Sequence, residues 1–404
     1  MSERKLRSGY TTGTCASAAA RAAAVFAITG MILREVTLTL PDGMCDRWKT
    51  VACTGEDSEV WFGVRKDAGD DPDVTNGVWV YARAERIDMA GLETLRRDGS
   101  GYWLEQYPLL YLTGGRGIGM VTKDGLSCPA GHYAINPVPR RMILSAVDAI
   151  CRETDFKGAL KITVAIPEGV GLAAKTFNPK LGIVGGISVL GTTGVVRPMS
   201  EEALLETIRL DIHMKAVAGE AVALMAPGNY GEGFLRERLG VPMGEAVICS
   251  NFVAESVRML AEEGFPDVLY VGHIGKLIKV SAGMRNTHSK YGDGRMEEMA
   301  RLVPLTQCPL QERILACNTT EEAVQVFREA GIAQTVLNQA AEHAKAHMEA
   351  WSGGRLHVEV MTFSSSCAVT GQTKGAGTLL QRWKDAHGDD PADEHLDIDR
   401  EGER

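Results

Sequence analysis

The residues best equipped for chemistry crowd into one short stretch of the chain. Asn286, Thr287, His288, Ser289, Lys290, Tyr291 and Asp293 follow one another with almost nothing apolar among them. Packing alone does not explain such a cluster, and a histidine close to a carboxylate supplies the residue types of proton transfer. The elements that must position it lie just upstream. Val268, Leu269 and Val271, between Pro266 and Gly272, form an apolar run of strand length over Asp267 to Val271. Leu277, Ile278, Val280 and Met284 then recur near helical spacing, which leaves Lys276 and Lys279 on the other side. Between strand and helix, Gly272-His273-Ile274-Gly275 reads as a tight turn, the place where open α/β sheets hold ligands.

The same grammar of strand, glycine turn and helix occurs twice before it. Ala221 to Ala226 leads to Pro227-Gly228-Asn229-Tyr230-Gly231, and Ala246 to Cys249 leads to Ser250-Asn251-Phe252. Three such units predict a parallel sheet covered by helices, with the three turns gathered at the carboxyl ends of the strands. Further helices are expected from Glu321 to Glu329 and from Thr335 to Ala350, and a last strand from Leu356 to Phe363.

The first half reads differently. Thr11-Thr12-Gly13-Thr14 enters an alanine-rich helix that stops near Gly30; the threonines either cap it or present a helix N-terminus to an anion. Cys15 has no base beside it and fits packing better than nucleophilic catalysis. Runs at Val36–Leu40, Val60–Val64 and Val78–Tyr81 predict an antiparallel meander. The loop from Lys66 to Asp73 carries four carboxylates, which either bind a cation or simply form a solvated turn; its spacing is not that of a calcium loop. Thr113 to Gly119 lacks the glycine spacing of a dinucleotide loop, and Gly272-x-x-Gly275-Lys276 lacks the spacer of a phosphate loop. Arg140 and Arg141 open a helix with Met142, Ile143, Ala146, Val147 and Ile150 on its apolar face. Positive charge there opposes the helix dipole and suggests an anionic neighbour. A second glycine-threonine turn stands at Gly191-Thr192-Thr193-Gly194.

The whole is a mixed α and β chain in two domains. Residues 1–218 are expected to form an α+β domain with a largely antiparallel sheet, and residues 219–380 a three-layer, Rossmann-like α/β domain with a parallel sheet. Residues 385–404, acidic and poor in apolar side chains, predict a disordered tail. A length of 404 residues, 45% hydrophobic and 24% charged, is ordinary for a globular protein. The net charge of −9 argues against a nucleic-acid partner, and no apolar run approaches the ~20 residues of a membrane span. Nine cysteines without a Cys-x-x-Cys read as reduced thiols of a cytoplasmic protein. His343 and His347 are four apart but fit an exposed helix face better than a metal site, so no metal is assigned.

Taken in order, GYTTGTCA, KDAGDDPDVTNG, GGRGIGMVTKDG, INPVPRRMI, KTFNPKLGIVGGISVLGTTGVVRPMS, APGNYG, CSNFVAES and GHIGKLIKVSAGMRNTHSKYGDGRMEEMA resemble the CbiD family over roughly residues 6 to 375. The family often carries an acidic residue where Arg116 stands, so position 116 receives no catalytic role. The resemblance implies methylation by S-adenosylmethionine of C-1 of a cobalt-containing, ring-contracted tetrapyrrole, with cobalt belonging to the substrate alone. On that reading Gly228, Asn229, Ser250, Asn251, Gly272 and His273 hold the donor. Thr11, Thr12, Thr192 and Thr193 with Arg140, Arg141, Arg197, Arg285 and Lys290 hold the acidic macrocycle, with Lys175, Lys180 and Arg295 as further cations. His288 and Asp293 move a proton at the ring. Two rivals stay open, a nucleotide-dependent phosphate-transferring enzyme and a non-catalytic tetrapyrrole carrier, as does a homo-oligomer.

Overall fold

The computed structural model describes residues 6–55, 58–242, 244–304, 307–365 and 369–388. These fall into two compact units divided between Glu201 and Glu202.

The first unit is built around one helix, α1 (Thr12–Thr29), whose alanines are buried on every side. A helix apolar all round has no solvent face to keep, and alanine lets neighbouring elements approach closely. The Thr11 hydroxyl accepts the Thr14 N–H at its start, and Gly30 ends it at φ 76°, where a side chain would be strained. The helix lies against a six-stranded sheet made of β1 (Val51–Thr54), β2 (Val60–Arg65), β3 (Trp79–Ile87), β4 (Tyr102–Leu104), β5 (Tyr107–Gly114) and β6 (Ala159–Ala165). Their spatial order is β1-β2-β3-β6-β5-β4, with only the β5–β6 pair parallel. The expected meander is therefore real for β1 to β3. The run at Val36, however, belongs to a separate hairpin of Glu35–Thr39 with Cys45–Lys49. The arginine-led helix, α2 (Pro137–Glu153), buries Ile143, Ala146, Val147 and Ile150 against α1 and β5.

The acidic loop is a clamp. Asp67 takes both guanidinium nitrogens of Arg7, Asp70 takes the Arg7 N–H at 2.7 Å, and Asp73 pairs with the buried ammonium of Lys66. Asp71 accepts the Met199 N–H at 3.1 Å. Its carboxylates thus tie distant segments together, which settles the loop in favour of turn structure.

The second unit opens with α3 (Glu201–Val217). The sequence grammar left this helix with the first domain, but Ile208 and Ile212 lie in the core of the second unit. Strands β7 (Val222–Ala226), β8 (Val247–Ile248), β9 (Asp267–His273), β10 (His357–Phe363) and β11 (Val369–Gln372) form one sheet in the order β8-β7-β9-β10-β11, all parallel except β11. Alternation along β9 separates two cores. Val268 and Tyr270 pack with α3, α5 (Val253–Glu262), α6 (Ile274–Ser281) and α8 (Ala333–Trp351). Leu269 and Val271 pack with α4 (Asn229–Leu239) and α9 (Ala376–His387). Helix α7 (Thr320–Glu329) joins the first of these layers. Because α9 runs through Asp385 to His387, those three residues are helical and not part of a tail; the remainder of the expected tail lies outside the described residues. No described helix is long and apolar enough to cross a membrane.

At Gly117, φ is +80° and an added Cβ would fall 1.8 Å from the carbonyl oxygen of Ile166. Gly117→Ala should therefore cost at least ~2 kcal/mol. The check is urea unfolding of the purified variant, where the midpoint should fall while the slope holds.

Candidate active site

The three glycine turns do meet at one edge. Parallel register aligns Val222 with Asp267 and Asp267 with His357, so Ala226, Ile248, His273 and Phe363 all emerge on the same side of the sheet. Gly228 caps α4 at φ 149° with open space where a side chain would stand, which leaves its backbone approachable. The backbone of Asn229 begins that helix; its side chain lies outside the described groups. Ser250 sits at φ 52°, a left-handed conformation that costs a non-glycine residue energy and concentrates at functional turns. Gly272 has a different reason to be glycine, because an added Cβ would stand 2.7 Å from the Tyr270 ring. Packing, not ligand approach, requires it.

His273 is the last residue of β9 and the N-cap of α6. Its Nδ1 accepts the Gly275 N–H at 3.1 Å, so the neutral ring carries its proton on Nε2. That nitrogen faces Glu321 Oε1 at 3.2 Å and Ser365 Oγ at 3.3 Å. Phe363 closes the ring edge-on at 5.5 Å. Burial lowers the His273 pKa, opposed by the Glu321 carboxylate. Both ring nitrogens are therefore engaged within the chain, and the residue shapes the turn instead of offering a free group.

Asn251 is engaged as well. Its side-chain oxygen takes the Lys276 ammonium and the Thr287 hydroxyl, and its backbone oxygen accepts the Thr287 N–H at 3.0 Å. The lysines of α6, expected on the side away from its apolar positions, face this polar region. Lys279 is only 6% exposed, and its ammonium reaches the carbonyls of Thr287 and Gly292 at 3.4 and 3.1 Å. The polar cluster is thus a loop organised by two lysines. Within it the His288 Nδ1 accepts the Lys290 N–H at 3.1 Å, capping a short 3-10 turn, and leaves Nε2 without a partner among the described residues. Asp293 is held by Arg295, with Oδ2 at 2.7 Å from the guanidinium, and this pairing keeps its pKa low. The two residues make no bond to each other among those described. Arg285 lies over the Trp351 ring at 5.8 Å and Lys290 over Tyr291 at 4.9 Å, both on the surface.

The first unit holds the other expected residues in two groups. Thr11, Thr12 and Arg140 serve the fold. The Thr12 hydroxyl exchanges hydrogen bonds with the backbone of Leu190, and Arg140 is spent on the carbonyl of Ile135, on Ser127 and on the Tyr102 ring 3.6 Å away. Arg140 is therefore no free carboxylate clamp. Thr193 turns its hydroxyl to Val195, and Arg197 is exposed. Arg141 and Thr192, by contrast, line a common cavity of about 640 Å³, together with Ser17, Arg21, Thr39 and Ser145. Arg21 is paired with Glu153 at 2.9 Å, whereas Arg141 has no acidic partner among the described residues. Such a volume lies within the ~300–1,000 Å³ of small-molecule sites.

Neither histidine of α8 builds a metal site: His343 turns to Glu298 and Arg301, and His347 stacks on Trp351. Among the described residues, Glu220, Glu245 and His387 have ligand spacing. The Lys215 ammonium already sits on both carboxylates, at 3.1 and 3.6 Å.

The second unit thus presents a sheet edge with a left-handed serine and an open glycine turn, and the first unit a cavity lined in part by Arg141; the chain is a mixed α and β protein. The CbiD sequence profile matches residues 1–198 and the CbiD C-terminal domain profile residues 286–374. The chain belongs to the CbiD family. It is 36% identical to the cobalt-precorrin-5B C(1)-methyltransferase of Ruminiclostridium cellulolyticum over 89% of this chain and 90% of that one. With the protein of the same name from Thermoanaerobacter sp. it shares 41% over 81% and 84%. A crystal structure of the cobalamin biosynthesis protein cbiD from Archaeoglobus fulgidus is 28% identical, over 73% of this chain and 84% of that chain, at a TM-score of 0.37.

The His273 cap carries a pH signature. Its pKa is depressed below 6.5, so the neutral, capping ring stabilises the fold fully above that value and the stabilisation is lost as pH falls through the lowered pKa. An asparagine caps without titrating. His273→Asn should therefore lie within ~1 kcal/mol of wild type at pH 8 and gain stability relative to wild type as the pH is lowered to 5. A stability difference between wild type and variant that does not change from pH 8 to pH 5 would refute the capping role.

Proposed function

We propose that this chain transfers a methyl group from S-adenosylmethionine to C-1 of cobalt-precorrin-5B, giving cobalt-precorrin-6A in anaerobic cobalamin biosynthesis. The observation that carries the reading is kinship along nearly the whole chain with proteins named for that reaction. The second unit serves as a Rossmann-like donor domain, and the carboxyl edge of its parallel sheet takes the donor, as ligands in open α/β sheets do. The acceptor is engaged in the first unit, where Arg141 and Thr192 meet its acetate and propionate groups. Cobalt arrives with the substrate. The protein works in the cytoplasm, where its thiols stay reduced.

The donor supplies an electrophilic methyl: the ring carbon attacks it, the carbon–sulfur bond breaks, and sulfur keeps the electron pair. No protein nucleophile is needed, so the residues contribute alignment and a dry site. Gly228 admits the ligand to the backbone, and Ser250 and Asn251 fix the neighbouring turn. His288, with one ring nitrogen open, is the group suited to carry a proton from the macrocycle. Asp293, pinned by Arg295, anchors its loop.

Incubation with the cobalt precursor and methyl-labelled donor should place the label on C-1, as read by mass spectrometry and NMR of the product. Binding of the macrocycle without label transfer would favour the carrier instead. In the same assay Arg141→Glu should weaken acceptor binding by about tenfold or more and leave donor affinity alone. Unchanged acceptor affinity would remove the acceptor from that cavity.

A further inference from the structure

Burying a cation is costly unless a counter-charge meets it, and unpaired buried ammonium groups are rare for that reason. The carboxyl edge of the second unit holds one buried and one half-buried lysine without an acidic partner among the described residues. Lys279 is nearly sealed, with two carbonyls but no acidic group in ion-pair range among the described residues. Lys276, one turn earlier and half-buried, has the Asn251 side-chain oxygen as its sole partner among them, which leaves two of its three N–H donors unassigned. The acid on the loop, Asp293, is occupied by Arg295. The nearby Cys249 thiol is fully buried and pushed up to about 12, so it is neutral and supplies no charge. Lys276 also stands in the first turn of α6, the end of a helix where positive charge is disfavoured.

Apart from Asn251 the surroundings of Lys276 disfavour its charge, and burial with the neighbouring Lys279 lowers its pKa. Asn251 nevertheless holds it in place, and Thr287, 1% exposed, holds Asn251. Such an arrangement spends stability in the free protein and recovers it when an anion arrives. We propose that Lys276, oriented by Asn251, receives a carboxylate of the bound ligand. The inference rests on the methyltransferase reading, which offers two sources of that chemistry: the amino-acid carboxylate of the donor, and an acetate or propionate of the acceptor.

Calorimetry on Lys276→Met and Lys276→Arg separates them. With the donor as source, the methionine variant should bind S-adenosylmethionine at least about tenfold more weakly, and the arginine variant should recover part of the loss. Decarboxylated S-adenosylmethionine should then bind wild type and Lys276→Met alike. With the acceptor as source, the loss should appear for the cobalt precursor while donor affinity holds. In either case the ligand-free methionine variant should melt no lower than wild type, because it sheds an uncompensated charge; a purely structural lysine would lower the melting temperature. Wild-type affinity for both ligands in Lys276→Met overturns the proposal with the function intact. Failure of wild type to bind either ligand removes the function itself and the proposal with it.

Discussion

Parallel alignment of β7, β9 and β10 is the constraint on which the second unit depends. Each strand can return to the same side of the sheet only through a crossover helix, so both faces become covered and both edges become chemically distinct. At the amino edge the charges satisfy one another. Asp267 bonds the His357 ring at 2.8 Å and Arg382 at 2.9 Å. Glu359, almost fully buried, takes Lys345 at 2.7 Å, the other nitrogen of His357 at 3.0 Å and the Gly375 N–H at 2.9 Å. Strand starts and the start of α9 are pinned there, with cations gathered on Asp267 and Glu359. The carboxyl edge is finished differently, with a strained serine, an open glycine and lysines that have no acidic partner among the described residues.

That asymmetry divides stability from function within one sheet. Asp267 and Glu359 are met by cations within the chain, so their pairs contribute to the fold without any ligand. The carboxyl edge leaves backbone and charge unsatisfied, which is tolerable only because the strands beneath it are buried and register-locked. A protein with a net charge of −9 thereby concentrates two lysines at one sheet edge, a local positive charge within an acidic whole.

The fold was legible wherever a period ran long enough. The alternation of strand, glycine and helix after residue 219 and the alanine run of α1 both leave strong local signals, and the structure follows them. What the sequence hid were partners. Arg140 and Arg141 are adjacent and identical in type, yet one is engaged by carbonyls and an aromatic ring while the other faces a cavity. A difference of one helical position, about 100°, separates structure from chemistry there. Thr12 resembles a ligand-facing threonine until its bonds to Leu190, 178 residues away, are in view. Lys279 falls on what the local pattern makes the polar face of α6, and only the loop after the helix buries it.

The same reasoning explains why the polar cluster from Asn286 to Asp293 resisted a packing account. A loop poor in apolar residues cannot fold by burial, so its order must come from directed bonds. Lys279 holds two of its carbonyls, Asn251 holds Thr287 at both ends, and Arg295 holds Asp293. These bonds are charge-assisted or buried, the kinds strong enough to order a loop without a core. Because Asn251 also carries Lys276, whatever binds the ammonium pulls on the atom that fixes Thr287. The position of Lys276 and the order of the loop that carries His288 are therefore joined through one amide oxygen.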